Sequence, residues 1–269
     1  MNYRKAGCIG TGVMGTALMR SVLTSAGSDE LAVYDTDSLK AKDFASETGC
    51  FLASSAGEVT SMCHFVFLAV KPVILPRLLE EITPFLKPDT VLVSMAAGVT
   101  LETISRHCSG HSQIIRIMPN TPASVGSGVI AIAPSAHVGD EDMQALVSLL
   151  GPAGLCEKTA ESLMDAVTAV SGSGPAYGYI FIDALADAAV RMGMGREQAL
   201  RYAAQTLKGA ASMVLETGTH PAVLKDGVCS PAGTTIAAVT ALEAAGFRNA
   251  VITAALSAWE RAREIGRQG

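Results

Sequence analysis

Two segments of the sequence carry residues that could bind anionic ligands. The first is Gly10-x-Gly12-x-x-Gly15, which follows an apolar run at 6–9 and precedes a helical pattern at 13–23. In this context the first glycine permits a tight turn, the second lets a pyrophosphate approach the backbone, and the third lets the helix pack on the strand. Free N–H groups at the helix N-terminus attract phosphate. The segment therefore predicts a dinucleotide site.

The second segment, at 229–236, reads CSPAGTTI and opens another helical pattern. Ser, Pro, Gly and Thr are ordinary residues at helix starts, so a purely structural role is one interpretation. The other is an anion cradle, in which backbone N–H groups of Gly233, Thr234 and Thr235 hold a substrate carboxylate. The Thr235 hydroxyl would then hydrogen-bond a substrate heteroatom. The residues alone leave both interpretations open.

Three further polar residues follow predicted strands. Asp35 lies 25 residues after Gly10, where an acidic residue accepts the adenosine ribose hydroxyls, although a solvated turn carboxylate is the alternative. Lys71 faces either the cofactor or solvent. Asn120 either hydrogen-bonds the nicotinamide ribose or caps its loop.

General acids and bases are scarce among these candidates. No Ser–His–Asp arrangement stands out, and the helical stretch 174–192 contains no lysine. Alcohol oxidation needs a base for the hydroxyl proton, whereas reduction of a polarised C=N bond needs mainly hydride placement and a dry pocket. The scarcity favours imine reduction. His107 and His111 alone have ligand-like spacing, but a helix end separates them, so we expect no metal site.

The elements that position these residues change in character near residue 160. Before it, short apolar runs alternate with helical stretches, which indicates an α/β Rossmann domain with a mostly parallel, doubly wound sheet. Ligands bind such sheets beyond the carboxyl ends of the strands. After it, only helical patterns follow. We therefore expect a dinucleotide-binding domain over 1–160 and an all-helical substrate-binding and dimerisation domain over 161–269.

The expected elements are these. Strands are predicted at 6–9, 31–34, 65–70, 91–94, 113–118, 129–133 and 155–157. Helices are predicted at 13–23, 38–48 with Ser38 as N-cap, 75–82, 100–106, 139–150, 161–170, 174–192, 196–217, 234–245 and 247–265.

Composition limits the partners and the compartment. The net charge of −5 argues against nucleic acid, and no run is apolar enough to cross a membrane. The N-terminus lacks a secretory signal pattern, and the six cysteines form no C-x-x-C pair, so we expect reduced thiols in the cytoplasm. The stretch 176–190 is apolar on most faces and so predicts cover by a second subunit.

Taken together, these stretches resemble pyrroline-5-carboxylate reductases over essentially the whole chain. The glycine loop is common to many dehydrogenases, whereas the last stretch is the most specific. The matching segments are GCIGTGVMG at 7–15, FLAVKP at 67–72, AAGVT at 96–100, MPNTP at 118–122, AVSGSGPAY at 169–177, HPAVLKD at 220–226 and VCSPAGTTI at 228–236.

The resemblance implies reduction of 1-pyrroline-5-carboxylate to L-proline with NADPH or NADH. It implies a homodimer interlocked through the helical domain, with a higher ring such as a decamer as a further expectation. It places the substrate at Ser230, Gly233, Thr234 and Thr235, with Thr235 on the ring nitrogen and Ser230 as the second catalytic residue, and the nicotinamide near 96–98 and 118–120. The residues expected at the cofactor are Gly10, Thr11, Gly12, Val13, Met14, Asp35, Ala69, Val70, Lys71, Pro72, Ala96, Ala97, Gly98 and Asn120.

Two departures from the family pattern affect these expectations. Family members often carry Gly where this chain has Ala232, which tightens the anion loop. Many carry Ser, Asn or Arg near the end of the second strand and prefer NADPH, whereas Asp35 and Asp37 would repel a 2′-phosphate, and Lys40 is the only nearby cation. The cofactor therefore stays open between NADPH and NADH.

Two other functions fit parts of the sequence. A hydroxyacid dehydrogenase can also join a Rossmann domain to a helical one, but it uses a lysine on the central helix, which 174–192 lacks. A dinucleotide-binding sensor without catalysis would not need Ser230, Gly233 and Thr235, all of which are present.

Overall fold

The strands form one sheet in a computed structural model that describes residues 3–268. They are β1 (Arg4–Ile9), β2 (Leu31–Tyr34), β3 (Phe51–Leu52), β4 (Cys63–Leu68), β5 (Val91–Ser94), β6 (Ile114–Pro119), β7 (Gly128–Pro134) and β8 (Gly154–Lys158). Their order across the sheet is β3-β2-β1-β4-β5-β6-β7-β8. The order reverses between β1 and β4, which places the topological switch point there and makes their carboxyl ends the expected ligand site.

Helices follow most strands and then continue alone. The first group is α1 (Val13–Ala26), α2 (Ser38–Thr48), α3 (Ala56–Met62), α4 (Leu75–Ile82), α5 (Leu101–His107), α6 (Asp140–Leu150) and α7 (Met164–Val167). The second group is α8 (Gly174–Arg191), α9 (Arg196–Thr217), α10 (Pro221–Gly227), α11 (Thr234–Ala244) and α12 (Phe247–Gln268).

The described chain divides into two compact units. Unit 1 is the chain up to Ser173 together with the segment from Ala258 onward, and unit 2 is Gly174–Ser257. The sheet and α1–α7 belong to unit 1 with the end of α12. Unit 2 holds α8–α11 and the beginning of α12.

Side chains of the central strands alternate between the two faces of the sheet. Phe65 and Phe67 of β4 pack into the core on one face with residues of α1, α2 and α6. Val66 and Leu68 pack on the opposite face with residues of α3, α4 and α5. Burying each such side chain contributes roughly 1.5–3 kcal/mol, so both faces of the sheet are stabilised by helices. This is the doubly wound arrangement that the sequence predicts.

Two strands, β7 and β8, run antiparallel to the other six strands of the described sheet. β7 pairs antiparallel with β6, whereas the other neighbouring pairs in the described sheet are parallel. Only residues 120–127 connect β6 to β7. A parallel connection needs a crossover of about a dozen residues or more, so this short loop forces an antiparallel return.

Several element predictions are confirmed and several need correction. The predicted bounds 31–34, 91–94, 75–82 and 196–217 match the structure. β3, α3 and α10 were not predicted, because they are too short to show a clear period. Residues 161–170 were expected as one helix, but they form a 3₁₀ turn, the short α7 and the π-helix Thr168–Gly172. The N-cap of α2 is Asp37 rather than Ser38, and its side chain makes no capping bond.

Unit 2 has a very small core of its own. Within this fully described segment, the buried residues are Ala186, Ala199 and Ala203, with partly buried apolar neighbours from α8 and α9. Large apolar side chains such as Tyr179 and Ile180 of α8 are exposed, Ile180 by 71%. The single chain therefore leaves much of this unit's apolar surface in water.

Among the described residues, no helix combines the length and the apolar character that spanning a bilayer requires.

Candidate active site

The glycine loop between β1 and α1 has an uncapped helix start. Gly12 is the N-cap of α1, the first turn carries no acidic residue, and among the described residues no side chain caps the free N–H groups. A Cβ added at Gly12 would meet no atom within 4 Å, so the backbone here is open to a ligand. The loop therefore fits a pyrophosphate bound by backbone N–H groups around Gly12, Val13 and Met14.

The other two glycines of the motif are fixed by close packing. Gly10 has φ +105°, a conformation that L side chains rarely adopt, and a Cβ there would lie 2.5 Å from the carbonyl oxygen of Ala69. A Cβ at Gly15 would overlap the carbonyl oxygen of Gly10. The Cys8 thiol lies beneath this loop, 3.2 Å from the Gly10 carbonyl oxygen to which it donates. The motif thus holds strand, turn and helix together, as the sequence predicts.

Asp35 is joined directly to the glycine loop. Its Oδ2 accepts hydrogen bonds from the backbone N–H of Thr11 at 2.6 Å and from the Thr11 hydroxyl at 3.1 Å. Its Oδ1 accepts from the backbone N–H of Asp37 at 2.9 Å. Nearby, Lys40 is paired with Asp37 at 3.0 Å. The carboxylate is therefore fixed beside the loop, with spare acceptor capacity on Oδ1, and the adjacent cation is already neutralised.

The remaining predicted cofactor residues of β4 and β5 lie at the same edge of the sheet. Ile9, Leu68 and Ser94 are register partners, so β1, β4 and β5 end side by side. The edge continues beyond the strands, because the N–H of Ala69 donates to the Ile9 carbonyl at 2.9 Å. The segments that follow are Ala69, Val70, Lys71 and Pro72 after β4, with Lys71 exposed, and Ala96, Ala97 and Gly98 after β5.

Asn120 lies at this edge but has internal partners. It is 7% exposed, its Oδ1 accepts from the N–H of Val129 at 2.9 Å, and its Nδ2 donates to the Ser171 carbonyl at 2.9 Å. The amide thus ties β7 and the π-helix to the end of β6. Of the two roles considered for Asn120, these contacts support loop capping, with one N–H left for a ligand.

The motifs in the sequence do not predict a partly buried ion pair that lies near this edge. Arg116 of β6 is 7% exposed and donates from Nη1 to Glu161 Oε1 at 2.8 Å. The same oxygen accepts from the N–H of Leu101, the first residue of α5, at 2.7 Å. Glu161 thereby caps α5 and fixes the end of the β5–α5 loop (residues 95–100). A lone charge within the apolar run IIRIMP is the signal that could have found it.

The predicted substrate segment lies in unit 2 and forms a tight turn before α11. The N–H of Gly233 donates to the Ser230 carbonyl at 3.0 Å, with Pro231 and Ala232 between them. Ala232 has φ +55°, so the turn has the proline and the left-handed residue typical of type II. A Cβ at Gly233 would overlap the Ser230 hydroxyl oxygen, which therefore lies directly over the helix start.

The N-terminus of α11 beyond this turn is uncapped. Gly233 is its N-cap, the first turn has no acidic residue, and in the part of the chain that the structure describes no side chain caps the first N–H groups. Since the Gly233 N–H is used within the turn, the groups left for a substrate carboxylate include those of Thr234 and Thr235. The two loops share one chemistry, an anion site at an uncapped helix start.

Other polar features lie away from these loops. A cavity of about 600 Å³ opens at the amino-terminal edge of the sheet, lined among others by Tyr3, Arg4, Lys5 and His64. The His64 imidazole lies within hydrogen-bond distance of the Asp142 carboxylate, with 2.7 Å between Nε2 and Oδ1. We do not assign this cavity to catalysis, because ligands bind these sheets at the opposite edge. In the described part of the chain no His, Cys, Asp and Glu cluster is arranged to hold a metal ion.

The cysteines are unpaired, and several are protected from ionisation. Cys8, Cys63 and Cys108 are buried. Burial raises the thiol pKa of Cys63 to about 12 and that of Cys108 to about 11. Burial also raises the pKa of Cys8, and the Asp35 carboxylate adds to that effect. These thiols stay protonated at neutral pH and are not nucleophiles.

Comparisons with known proteins match both halves of the chain. Residues 161–265 match the family model for pyrroline-5-carboxylate reductase dimerisation, and residues 5–98 match that for NADP oxidoreductase, coenzyme F420-dependent. The chain is 44% identical to the pyrroline-5-carboxylate reductase of Escherichia coli, over 98% of this chain and 99% of the relative.

Two solved structures are similar over their full length. A Plasmodium falciparum pyrroline carboxylate reductase with NADP bound is 31% identical with a TM-score of 0.87, covering 99% of each chain. A Coxiella burnetii pyrroline-5-carboxylate reductase is 30% identical with a TM-score of 0.91, covering 98% of this chain and 99% of that one.

The fold and the glycine loop define an NAD(P)-dependent oxidoreductase with a Rossmann domain, followed by a helical dimerisation domain. More narrowly, the chain belongs to the pyrroline-5-carboxylate reductase family.

Proposed function

We propose that this protein reduces 1-pyrroline-5-carboxylate to L-proline with NADPH or NADH, the last step of proline biosynthesis. The observation that carries the proposal is the 44% identity to a pyrroline-5-carboxylate reductase over almost the whole of both chains. The uncapped helix starts at Gly12 and Gly233 support it, because they suit a nucleotide pyrophosphate and a substrate carboxylate respectively.

The nucleotide-binding role belongs to the carboxyl edge of the sheet in unit 1. We assign the pyrophosphate to the N–H groups of the glycine loop and the adenosine ribose to Asp35. Ala69–Pro72 and Ala96–Gly98 would then border the remainder of the nucleotide. Asn120 would hold the edge in place through its contacts with Val129 and Ser171.

The substrate-binding role belongs to the turn before α11. The N–H groups of Thr234 and Thr235 would hold the carboxylate, assisted by the helix dipole. The turn with Gly233 fixes the Ser230 hydroxyl at the helix start, from where it can donate to the same carboxylate. The Thr235 hydroxyl would hydrogen-bond the ring nitrogen.

The chemistry asks little of acid–base residues. Bound NAD(P)H would supply a hydride to the imine carbon, and the ring nitrogen would take one proton from solvent water as the C=N double bond becomes a single bond. Thr235 would orient the nitrogen and hold its proton. The start of α11 would also orient the imine for hydride transfer, and such positioning can lower a reaction barrier by several kcal/mol.

The assembly and location complete the proposal. We assign nucleotide binding to residues 1–160, and substrate binding with homodimer formation to 161–269, with a higher ring such as a decamer as a further possibility for the assembly. The match to a dimerisation family supports the dimer, as do the exposed apolar side chains of unit 2. Six unpaired cysteines support a reducing, cytoplasmic location.

The direct test is steady-state oxidation of NADPH and of NADH with 1-pyrroline-5-carboxylate, with proline identified as the product. Turnover with either nucleotide supports the proposal. The control is the same assay with 2-hydroxy acids and NAD(P)⁺. Tight nucleotide binding without turnover of the imine would contradict the proposed reaction and would favour a sensor or a different dehydrogenase.

A further inference from the structure

The end of α12 lies directly on the β5–α5 loop. Gly98 of this loop has φ +77°, and a Cβ added there would lie 3.0 Å from the backbone nitrogen of Gly266 and 3.2 Å from a side-chain methyl carbon of Ile265. Conversely, a Cβ added at Gly266 would lie 3.2 Å from the Gly98 carbonyl oxygen. Two glycines from distant parts of unit 1 therefore meet backbone to backbone, and a methyl group on either would require its neighbour to shift by a few tenths of an ångström.

The loop is held firmly at its other end. The Thr100 side chain accepts from the N–H of Thr103 at the start of α5, and Glu161, fixed by Arg116, accepts from the N–H of Leu101. Ala96 at the loop's beginning is buried. Within the loop, Gly98 is thus the point that α12 contacts and whose position depends on that contact.

A cavity beside the β5–α5 loop leaves space into which the loop could be displaced. A cavity of about 430 Å³ adjoins the contact, lined by Gly98, Thr100, Arg116, Glu161, Ser162, Asp165, Arg263 and Gly266. Because space is available, added bulk at Gly266 should displace the loop rather than unfold the unit.

We infer that the C-terminal end of α12, through Gly266, positions the β5–α5 loop for the nicotinamide half of the cofactor. This inference rests on the proposed function, in which Ala96–Gly98 borders the part of the nucleotide beyond the adenosine ribose and the pyrophosphate. Gly266 is a positioning residue here, since its contact is with Gly98 and not with the cofactor.

The variant Gly266→Ala distinguishes a purely structural glycine from one that positions the loop, because the two roles predict different effects on cofactor binding. Inside a helix this change ordinarily stabilises the protein, because alanine loses less conformational freedom on folding. If Gly266 is an ordinary helix residue, Gly266→Ala should raise Tm slightly and leave the affinity for the cofactor unchanged. If Gly266 positions the loop, the new methyl group should push Gly98 and weaken nicotinamide binding.

The experiment compares two nucleotides that differ in the nicotinamide. Dissociation constants for NADH and for ADP-ribose are measured on the full-length protein by titration calorimetry. ADP-ribose lacks the nicotinamide ring, so we expect it to bind the glycine loop without depending on the β5–α5 loop. For Gly266→Ala we expect the Kd for NADH to rise roughly three- to tenfold, as overpacking of a tight contact does, with the Kd for ADP-ribose within about twofold of the parent.

A matched control and a second variant complete the design. Gly139→Ala makes the same change in unit 1 at extended φ and ψ that any residue adopts, and an added Cβ there meets nothing within 4 Å, so both Kd values should stay unchanged. A chain that ends at Ile265 removes the contact instead of crowding it, and its Kd for NADH should also rise while its Kd for ADP-ribose does not.

Three outcomes would overturn the inference. They are an unchanged Kd for NADH in both position-266 variants, an equal weakening of NADH and ADP-ribose binding, and a weakening of NADH binding in Gly139→Ala of the same size. Failure of the parent to bind NADH or NADPH would refute the proposed function itself and is thus distinguishable from failure of the inference.

Discussion

Asp35 should decide which nicotinamide nucleotide this enzyme prefers. Its carboxylate is anchored to the N–H of Thr11, beside the loop that would hold the pyrophosphate. The 2′-phosphate of NADPH carries up to two negative charges and would approach both Asp35 and Asp37. The nearby Lys40 cannot compensate fully, because it is already paired with Asp37. We therefore expect the parent protein to use NADH more efficiently than NADPH.

The size of the effect follows from Coulomb's law. At an assumed separation of about 5 Å and an effective dielectric constant between about 40 and 80, each pair of unit charges repels by roughly 0.8–1.7 kcal/mol. With about 1.5–2 charges on the phosphate, the penalty is roughly 1–3 kcal/mol, or about 10- to 100-fold in relative affinity. Salt should reduce it, because Asp35 is only partly buried.

The variant to test is Asp35→Asn, which removes the charge but retains an oxygen for the Thr11 N–H. The assay is kcat/KM for NADH and for NADPH at saturating 1-pyrroline-5-carboxylate, at low and at high salt. We expect the NADH-to-NADPH ratio to fall at least about tenfold. The control is Asp43→Asn on the exposed side of α2, which changes the net charge equally and should leave the ratio within about twofold. A parent that prefers NADPH, or an unchanged ratio in Asp35→Asn, would refute the reasoning.

The remaining predictions concern the substrate turn, the interface and the thiols. Thr235→Ala should lower turnover roughly 10- to 100-fold without changing nucleotide affinity, whereas Thr235→Ser should retain most activity; unaltered turnover in the alanine variant would remove Thr235 from the mechanism. Ala232→Gly should lower the substrate KM without lowering Tm, since a left-handed alanine costs roughly 1–2 kcal/mol; a raised KM would show that the alanine is favourable. Ile180→Asp should give monomers in light scattering, with Ile180→Val as control, and a stable, active monomer would disprove the burial argument. Because the thiol pKa values of Cys63 and Cys108 are raised in the folded state, their contribution to the free energy of unfolding should be constant below the ordinary thiol pKa of 9.0. Above that pH it should fall by up to about 1.4 kcal/mol per pH unit for each thiol. Urea unfolding at pH 8 and pH 10 measures the difference, and equal free energies of unfolding would contradict this prediction.

The sequence predicts the sheet well because periodic apolar runs and glycine spacing are local signals. The glycine loop, the end of β2 and the two uncapped helix starts could all be located from neighbouring residues. β7 could not be oriented from its own pattern, since its direction depends on the length of the loop before it. The π-helix at Thr168–Gly172 likewise depends on contacts with β6 that no local period records.

Contacts between residues that are distant in the sequence could not be predicted from local sequence patterns. Nothing near Asp35 indicates that it bonds Thr11, and nothing near Gly266 indicates that it meets Gly98. Asn120 shows the same limit. Its position suggested a ligand, while its partners Val129 and Ser171 become apparent only in three dimensions.

The three-alanine core of unit 2 has a consequence for how the protein is made. Three buried alanines with a few partly buried apolar neighbours give this unit little apolar burial of its own, so we expect a partner chain to contribute much of its stability. Its refolding should therefore follow second-order kinetics, and dilution should lower its melting temperature. In a cell that expresses an intact copy and a copy damaged only in the glycine loop, the damaged chain would still pair and would draw working chains into mixed assemblies. Each intact chain in such an assembly keeps its own glycine loop, so activity should fall in proportion to the share of damaged chains.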